Sequence, residues 1–187
     1  MTVFMVVVAF LVLWIILSFN KLVTLRNQVK NAFTQIDIQL KRRHDLIPNL
    51  VESVKGAMKF EQETLTKVME ARAKAINAFQ SGNIKEGFAN ENIITQALGK
   101  LFALKESYPE LKSNQQVSQL MEELTTTENK ISFARQFYND ITTKYNTAIE
   151  IFPTNIVAKI MNFTPFDLFE LPKESNEREV PKVNLNI

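Results

Sequence analysis

The 187-residue chain has no cysteine, one histidine, four glycines and six prolines. Without cysteine there is no disulfide scaffold, zinc ribbon, iron–sulfur site, thiol nucleophile or lipidated cysteine. So little glycine and proline argues against a loop-rich β sandwich and against a glycine-rich nucleotide site. The net charge is +2, too weak a bias to imply a nucleic-acid partner. The length suits one domain with an appended segment.

What the chain does have is a long apolar run. Val3 to Phe19 reads VFMVVVAFLVLWIILSF, and residues 1–20 carry no charge. Twenty helical residues span roughly 30 Å, the thickness of a bilayer core. A buried core helix would carry a polar stripe or small packing positions, and this run has neither. A cleaved signal peptide would carry a basic start and a small-residue cleavage site. Here no Lys or Arg precedes the run, and Ser18-Phe19-Asn20-Lys21 is a poor site. An uncleaved transmembrane helix is therefore expected over residues 1–20, with residues 3–19 in contact with lipid. Residues 21–58 hold seven Lys/Arg against three Asp/Glu, whereas residues 59–187 hold fifteen against seventeen. The basic excess just after the membrane predicts a short external N-terminus and a cytoplasmic body at the inner membrane.

No Pro or Gly precedes Pro48, so the membrane helix can continue into the body. Leu22, Phe33 and His44 recur every eleven residues, as do Leu25, Ile36 and Ile47, and Val29, Leu40 and Val51. That period keeps a stripe nearly straight on a helix. Pro48 is expected to kink this helix or to start a new one after Asp45. Further helices are expected over 60–80 and about 85–107, separated by a turn at Ser81-Gly82-Asn83. The fourth lies between Pro109 and Pro153, capped by Ser113 or Asn114. Along it Val117, Leu124, Ile131, Tyr138, Tyr145 and Phe152 recur every seven residues. Leu120, Thr127, Ala134, Ile141 and Ala148 interleave with them, a coiled-coil-like period. The expected fold is all-α: an anchor (1–20), an elongated antiparallel four-helix bundle (21–162) and an extended tail (163–187). Residues 154–162 would add a short helix, and Phe166, Leu168 and Phe169 would pack the tail onto the bundle.

The runs QIDIQLKRRHDLIPNLVESVKG (Gln35–Gly56), TLTKVMEARAKA (Thr64–Ala75) and TENKISFARQFYNDITTKYNTAIEIFP (Thr127–Pro153) resemble the LemA family. So does their order behind an N-terminal anchor. Phe33-Thr34 departs slightly from the Trp-Ser-like pair of the family pattern. The resemblance implies a bacterial membrane-anchored helical bundle with a short external N-terminus and a cytoplasmic domain. It implies no established enzymatic activity.

The chemistry-bearing motifs are few. Gly82 and Gly87 have the glycine spacing of a phosphate loop, but Phe88-Ala89 stands where Lys and Ser/Thr are needed, which leaves a helix–helix turn. There is no HExxH, no paired E-x-x-H and no nucleophile elbow. No catalytic, metal or cofactor residue is expected, and no enzymatic activity. His44 shares a stripe with Leu22 and Phe33, which favours an imidazole hydrogen-bonded inside the bundle over a pH-sensing or binding role. Lys41, Arg42 and Arg43 form a basic triplet read as a solvated or ion-paired face, with partner docking as the alternative. His44, Arg72 and Thr127 interrupt apolar stripes and would meet in one buried polar layer, with Glu128 as counter-charge. Leu22, Leu25 and Val29 are candidates for packing parallel copies beside the membrane. The expected function is that of a membrane-tethered scaffold acting on another membrane protein or on itself. A membrane-shaping homo-oligomer is the alternative, and a ligand-binding or hydrolytic enzyme the remote one.

Overall fold

The computed structural model describes residues 1–56, 58, 61–104 and 107–169. These form six helices: α1 (Thr2–Val54), α2 (Gln62–Gln80), α3 (Ile84–Leu104), α4 (Pro109–Ser113), α5 (Gln115–Glu150) and α6 (Thr154–Ile160). No strand occurs among the described residues. The expected tail beyond Phe169 lies outside them.

α1 is a single 53-residue helix. Its first nineteen residues are exposed apart from Trp14 and Ser18. From there a buried stripe runs through Ser18, Leu22, Val29, Ile36, Leu40, Ile47, Leu50 and Val54, at the three- and four-residue steps of a helix with one face against a core. Pro48 lies inside the helix, so no new helix starts after Asp45, which was one of the two outcomes expected of it. Proline lacks the N–H that would bond the carbonyl four residues back, and its ring crowds that carbonyl. That carbonyl is His44 O, and it accepts instead from Arg72 Nε at 2.7 Å. A donor from α2 thus stands in for the missing one.

α2 and α3 pack on each other, as do α1 and α5. The turn between α2 and α3 carries Gly82 at φ 78°, a conformation glycine adopts freely. Asn83 Oδ1 accepts from Glu86 N at 3.2 Å while Asn83 Nδ2 donates to Glu86 Oε2 at 2.7 Å. This reciprocal cap is why glycines with phosphate-loop spacing start a helix here and cradle nothing. α4 is a single turn ahead of Asn114, whose side chain caps α5 by accepting from Gln116 N and Val117 N.

α5 buries Val117, Leu124, Ile131, Tyr138 and Tyr145, five of the six heptad positions. Phe152 is the exception: α5 stops at Glu150 and Phe152 is exposed. The pairs between α1 and α5 run in opposite sequence order, with Leu22 clustering with Ala148 and Arg42 reaching Glu123.

The chain then returns along α5 without helix. Tyr138 Oη donates to Asp167 O at 2.7 Å and Tyr145 Oη to Thr164 O at 2.9 Å. Asn139 accepts from Phe169 N at 2.8 Å and donates to Phe169 O at 3.0 Å. Asn146 does the same for Phe166, at 3.0 and 2.9 Å. Two Tyr-Asn pairs seven residues apart, on one face of α5, therefore satisfy the backbone of an otherwise irregular segment. Phe166 and Phe169 join the core beneath it.

A buried ion network and an exposed apolar face

Beside the small cluster around Leu22, the helices enclose two larger apolar cores. One takes Ile47, Leu50, Leu65, Ile94, Leu98 and Leu124, the other Val29, Ile36, Phe88, Ile131, Tyr138 and Phe169. Each helix passes from one core to the other at a polar residue. In α1 the step lies between Leu40 and Ile47, at Arg43 and His44. In α3 it lies between Phe88 and Ile94, at Glu91. In α5 it lies between Leu124 and Ile131, at Glu128.

These residues are in direct contact. The Arg43 side chain is 0% exposed. It forks between Glu91 Oε2 and Glu128 Oε2, the latter at 2.5 Å, and also donates to Thr95 Oγ1 at 2.9 Å. Thr95 Oγ1 in turn donates to Glu128 Oε1 at 2.6 Å. His44 Nε2 meets the other Glu91 oxygen at 2.7 Å. Glu91 is fully buried, and burial alone would raise its pKa. The His44 hydrogen bond and the Arg43 charge outweigh that, holding the carboxyl below its ordinary value. Next to this group, Arg135 donates to Asn92 Oδ1 at 3.2 Å and stacks 4.0 Å over the Phe169 ring. Burial and the nearby Arg43 push its pKa down to about 10, so it stays a cation at neutral pH.

Of the residues singled out from the sequence, Arg43, His44 and Glu128 belong to this layer. Arg72 borders it through the His44 carbonyl. Thr127 is buried, and its hydroxyl donates to Glu123 O of its own helix at 2.7 Å. Lys41 is exposed. Arg42 reaches Glu123 at 3.5 Å with both side chains about half exposed, a pair of little energetic weight. Leu22 and Val29 are buried and Leu25 is half-buried. All three turn into the chain's own core, so α5 and α6 take the contacts that a neighbouring copy would need.

Sequence reasoning missed Glu91, Thr95 and Arg135, and it grouped Arg43 with Lys41 and Arg42 on a solvated or ion-paired face, without its burial; Arg43 is ion-paired. The signal for Arg43 was available: it lies seven residues after Ile36 and four before Ile47, both fully buried. Among the described residues no group of three or more His, Cys, Asp or Glu could hold a metal ion.

The outer side of the α1–α5 pair is different. Ile38, Phe133 and Phe137 are 58%, 73% and 47% exposed. They line a shallow groove of about 400 Å³ with Gln35, Gln39 and Lys130.

The family model for the LemA family matches residues 32–185. The chain belongs to the LemA family. It is 29% identical over 151 residues to Protein LemA of Metamycoplasma hominis, covering 81% of this chain and 68% of that one. It is 25% identical over 189 residues to Magnetosome protein MamQ 2 of Paramagnetospirillum magneticum, covering 88% and 68%. A third relative, Magnetosome protein MamQ of Magnetospirillum gryphiswaldense, is 24% identical over 180 residues, covering 83% and 65%. The matched region of this LemA-family chain takes in every residue of the ion network and of the groove.

Proposed function

We propose that this chain is a membrane-anchored, non-catalytic helical protein. Its body is an antiparallel four-helix bundle on the cytoplasmic side of the inner membrane, and it acts by contacting other proteins at that membrane. The observation that carries this is the continuity of α1. The exposed apolar segment and the first buried turn of the body are one helix, with Trp14, Leu22 and Phe163 sharing a cluster. Cleavage after the apolar run would cut a helix just where its next turn is packed. Anchor and bundle then move as one unit, which suits a protein that holds a surface at a set height above the bilayer. The buried ion network supports the same reading. Its charges are engaged with one another, so they set which helix levels meet and leave nothing aimed at a substrate.

The chain's lack of cysteine allows a clean test. A Ser175→Cys variant in intact cells is treated with a membrane-impermeant thiol reagent, and the membranes are extracted with alkaline carbonate. Retention in the membrane pellet, with labelling only after lysis, is the expected result. Release by carbonate would overturn the anchor, and labelling of intact cells would overturn the orientation.

A further inference from the structure

We infer that the groove formed by Ile38, Phe133 and Phe137 is where a second copy of this chain docks. The two copies stand side by side in one membrane, with α1 of each lying on α5 of the other.

The patch is not a lipid contact. Ile38 lies nineteen residues past Phe19, the end of the apolar run, roughly 28 Å along a straight helix, beyond the reach of headgroups. Nor is it an isolated exposed side chain, which would need no explanation. Three large apolar residues from two helices share one groove. The described part of the tail, up to Phe169, does not cover it, because Tyr138, Asn139, Tyr145 and Asn146 hold that segment on another side of α5.

The geometry selects both partner and register. Copies anchored through the same end of α1 must stand parallel, so a two-fold axis between them runs along the helices. That operation puts α1 of one copy over α5 of the other at equal height. The Arg42–Glu123 and Arg43–Glu128 pairs fix the heights within one chain. Residue 38 is then level with residues between about 127 and 133, within a turn or so of Phe133, so Ile38 can reach the partner copy's Phe133, twice over by symmetry. The flanking charges agree. At the level just beyond the apolar centre α1 presents Arg42 and α5 presents Glu122 and Glu123, all exposed, so crossing the helices brings opposite signs together. The opposite choice, α5 on α5, would face like charges in parallel copies. The patch is smaller than a freely diffusing dimer needs, which is about 800 Å² per partner. Co-anchoring raises the effective concentration and lowers that requirement.

This inference rests on the anchored reading above, and the two fail separately: carbonate extraction reports the anchor, crosslinking the docking. Two single-cysteine chains with different tags, Ile38→Cys and Phe133→Cys, are reconstituted together into phospholipid vesicles and oxidised. A disulfide-linked species carrying both tags at twice the monomer mass is expected, with its loss when Phe137→Asp is added to both chains. All three positions are solvent-exposed, so the variants leave the core intact, and circular dichroism checks this. Self-linking of Phe133→Cys in place of the mixed product would overturn the register. Absence of any crosslink in a chain that stays membrane-integral would overturn the docking. In native membranes, crosslinking of either cysteine only to a different protein would overturn the second copy as occupant.

Discussion

Arg72 Nε donates to the His44 carbonyl at 2.7 Å, the carbonyl that Pro48 leaves without a helical donor. The proline and the arginine compensate for each other across two helices. Removing the donors while keeping the stem, as Arg72→Met, leaves a carbonyl unsatisfied and is expected to cost about 1–3 kcal/mol. In a Pro48→Ala background the α1 backbone can supply the bond, so the same change should cost much less. Chemical denaturation of the four members of this cycle in detergent measures the difference. Equal costs in both backgrounds would show that Arg72 acts through something other than this carbonyl.

A second prediction concerns Arg43. Arg43→Met strands the Glu91 and Glu128 carboxylates in the interior, and breaking a buried pair from one side costs about 3–5 kcal/mol. Arg43→Lys should recover little, because an ammonium cannot fork between two carboxylates in the way a guanidinium does. Replacing the pair together, as Arg43→Met with Glu91→Leu, should restore most of the lost stability. That outcome would mark the network as a device for helix register more than a source of stability. Thermal unfolding of the three variants distinguishes the cases.

The contrast between Arg42 and Arg43 marks how far the sequence could be read. Helix positions, the α5 heptad, the Asn114 cap and the long apolar N-terminal helix all follow from periodicity, composition and proline and glycine placement, because these are local or strictly periodic signals. The polar layer was legible only through residues that interrupt a stripe, and His44 and Arg72 were found that way. Glu91 escaped because α3 also buries Asn90 and Asn92 beside it, so no clean apolar stripe existed to be interrupted. The burial of Arg43 escaped because two exposed cations precede it. The new helix offered as one outcome at Pro48 failed for a related reason: a helix can run through proline when a distant side chain replaces the bond, and Arg72 lies twenty-four residues away in another helix. Such partners become visible only once the helices are docked.

The depressed Glu91 carboxyl sets an acid limit on stability. Its folded pKa lies below the ordinary value of 4.5. The stabilisation it carries is complete above about that pH, and it is lost as pH falls through the lower folded value. Unfolding free energy should be flat near neutrality and decline below about pH 4.5. Glu91→Gln should be less stable at pH 7 and should show a shallower acid slope. Denaturation midpoints between pH 3 and 7 provide the check, and an unchanged slope would remove Glu91 from the account.

The last prediction separates the two asparagine clamps. Asn146 holds the Phe166 backbone and Asn139 holds the Phe169 backbone, each through one accepted and one donated bond. Both residues are half-buried, so truncation removes two hydrogen bonds in a partly dry setting, a loss of about 1–3 kcal/mol. Asn146→Ala should raise hydrogen exchange at the Phe166 amide and leave Phe169 protected. Asn139→Ala should do the reverse, and it should also loosen the Phe169 ring from Arg135, which stacks 4.0 Å above it. Arg135 faces the ion network from the tail side, so Asn139→Ala should weaken the bundle globally while Asn146→Ala acts locally. Global unfolding curves read alongside amide exchange test this. If both variants loosen the whole segment equally, the tail is held as one cooperative strap, and the residue-by-residue clamping argued from the two Tyr-Asn pairs is wrong.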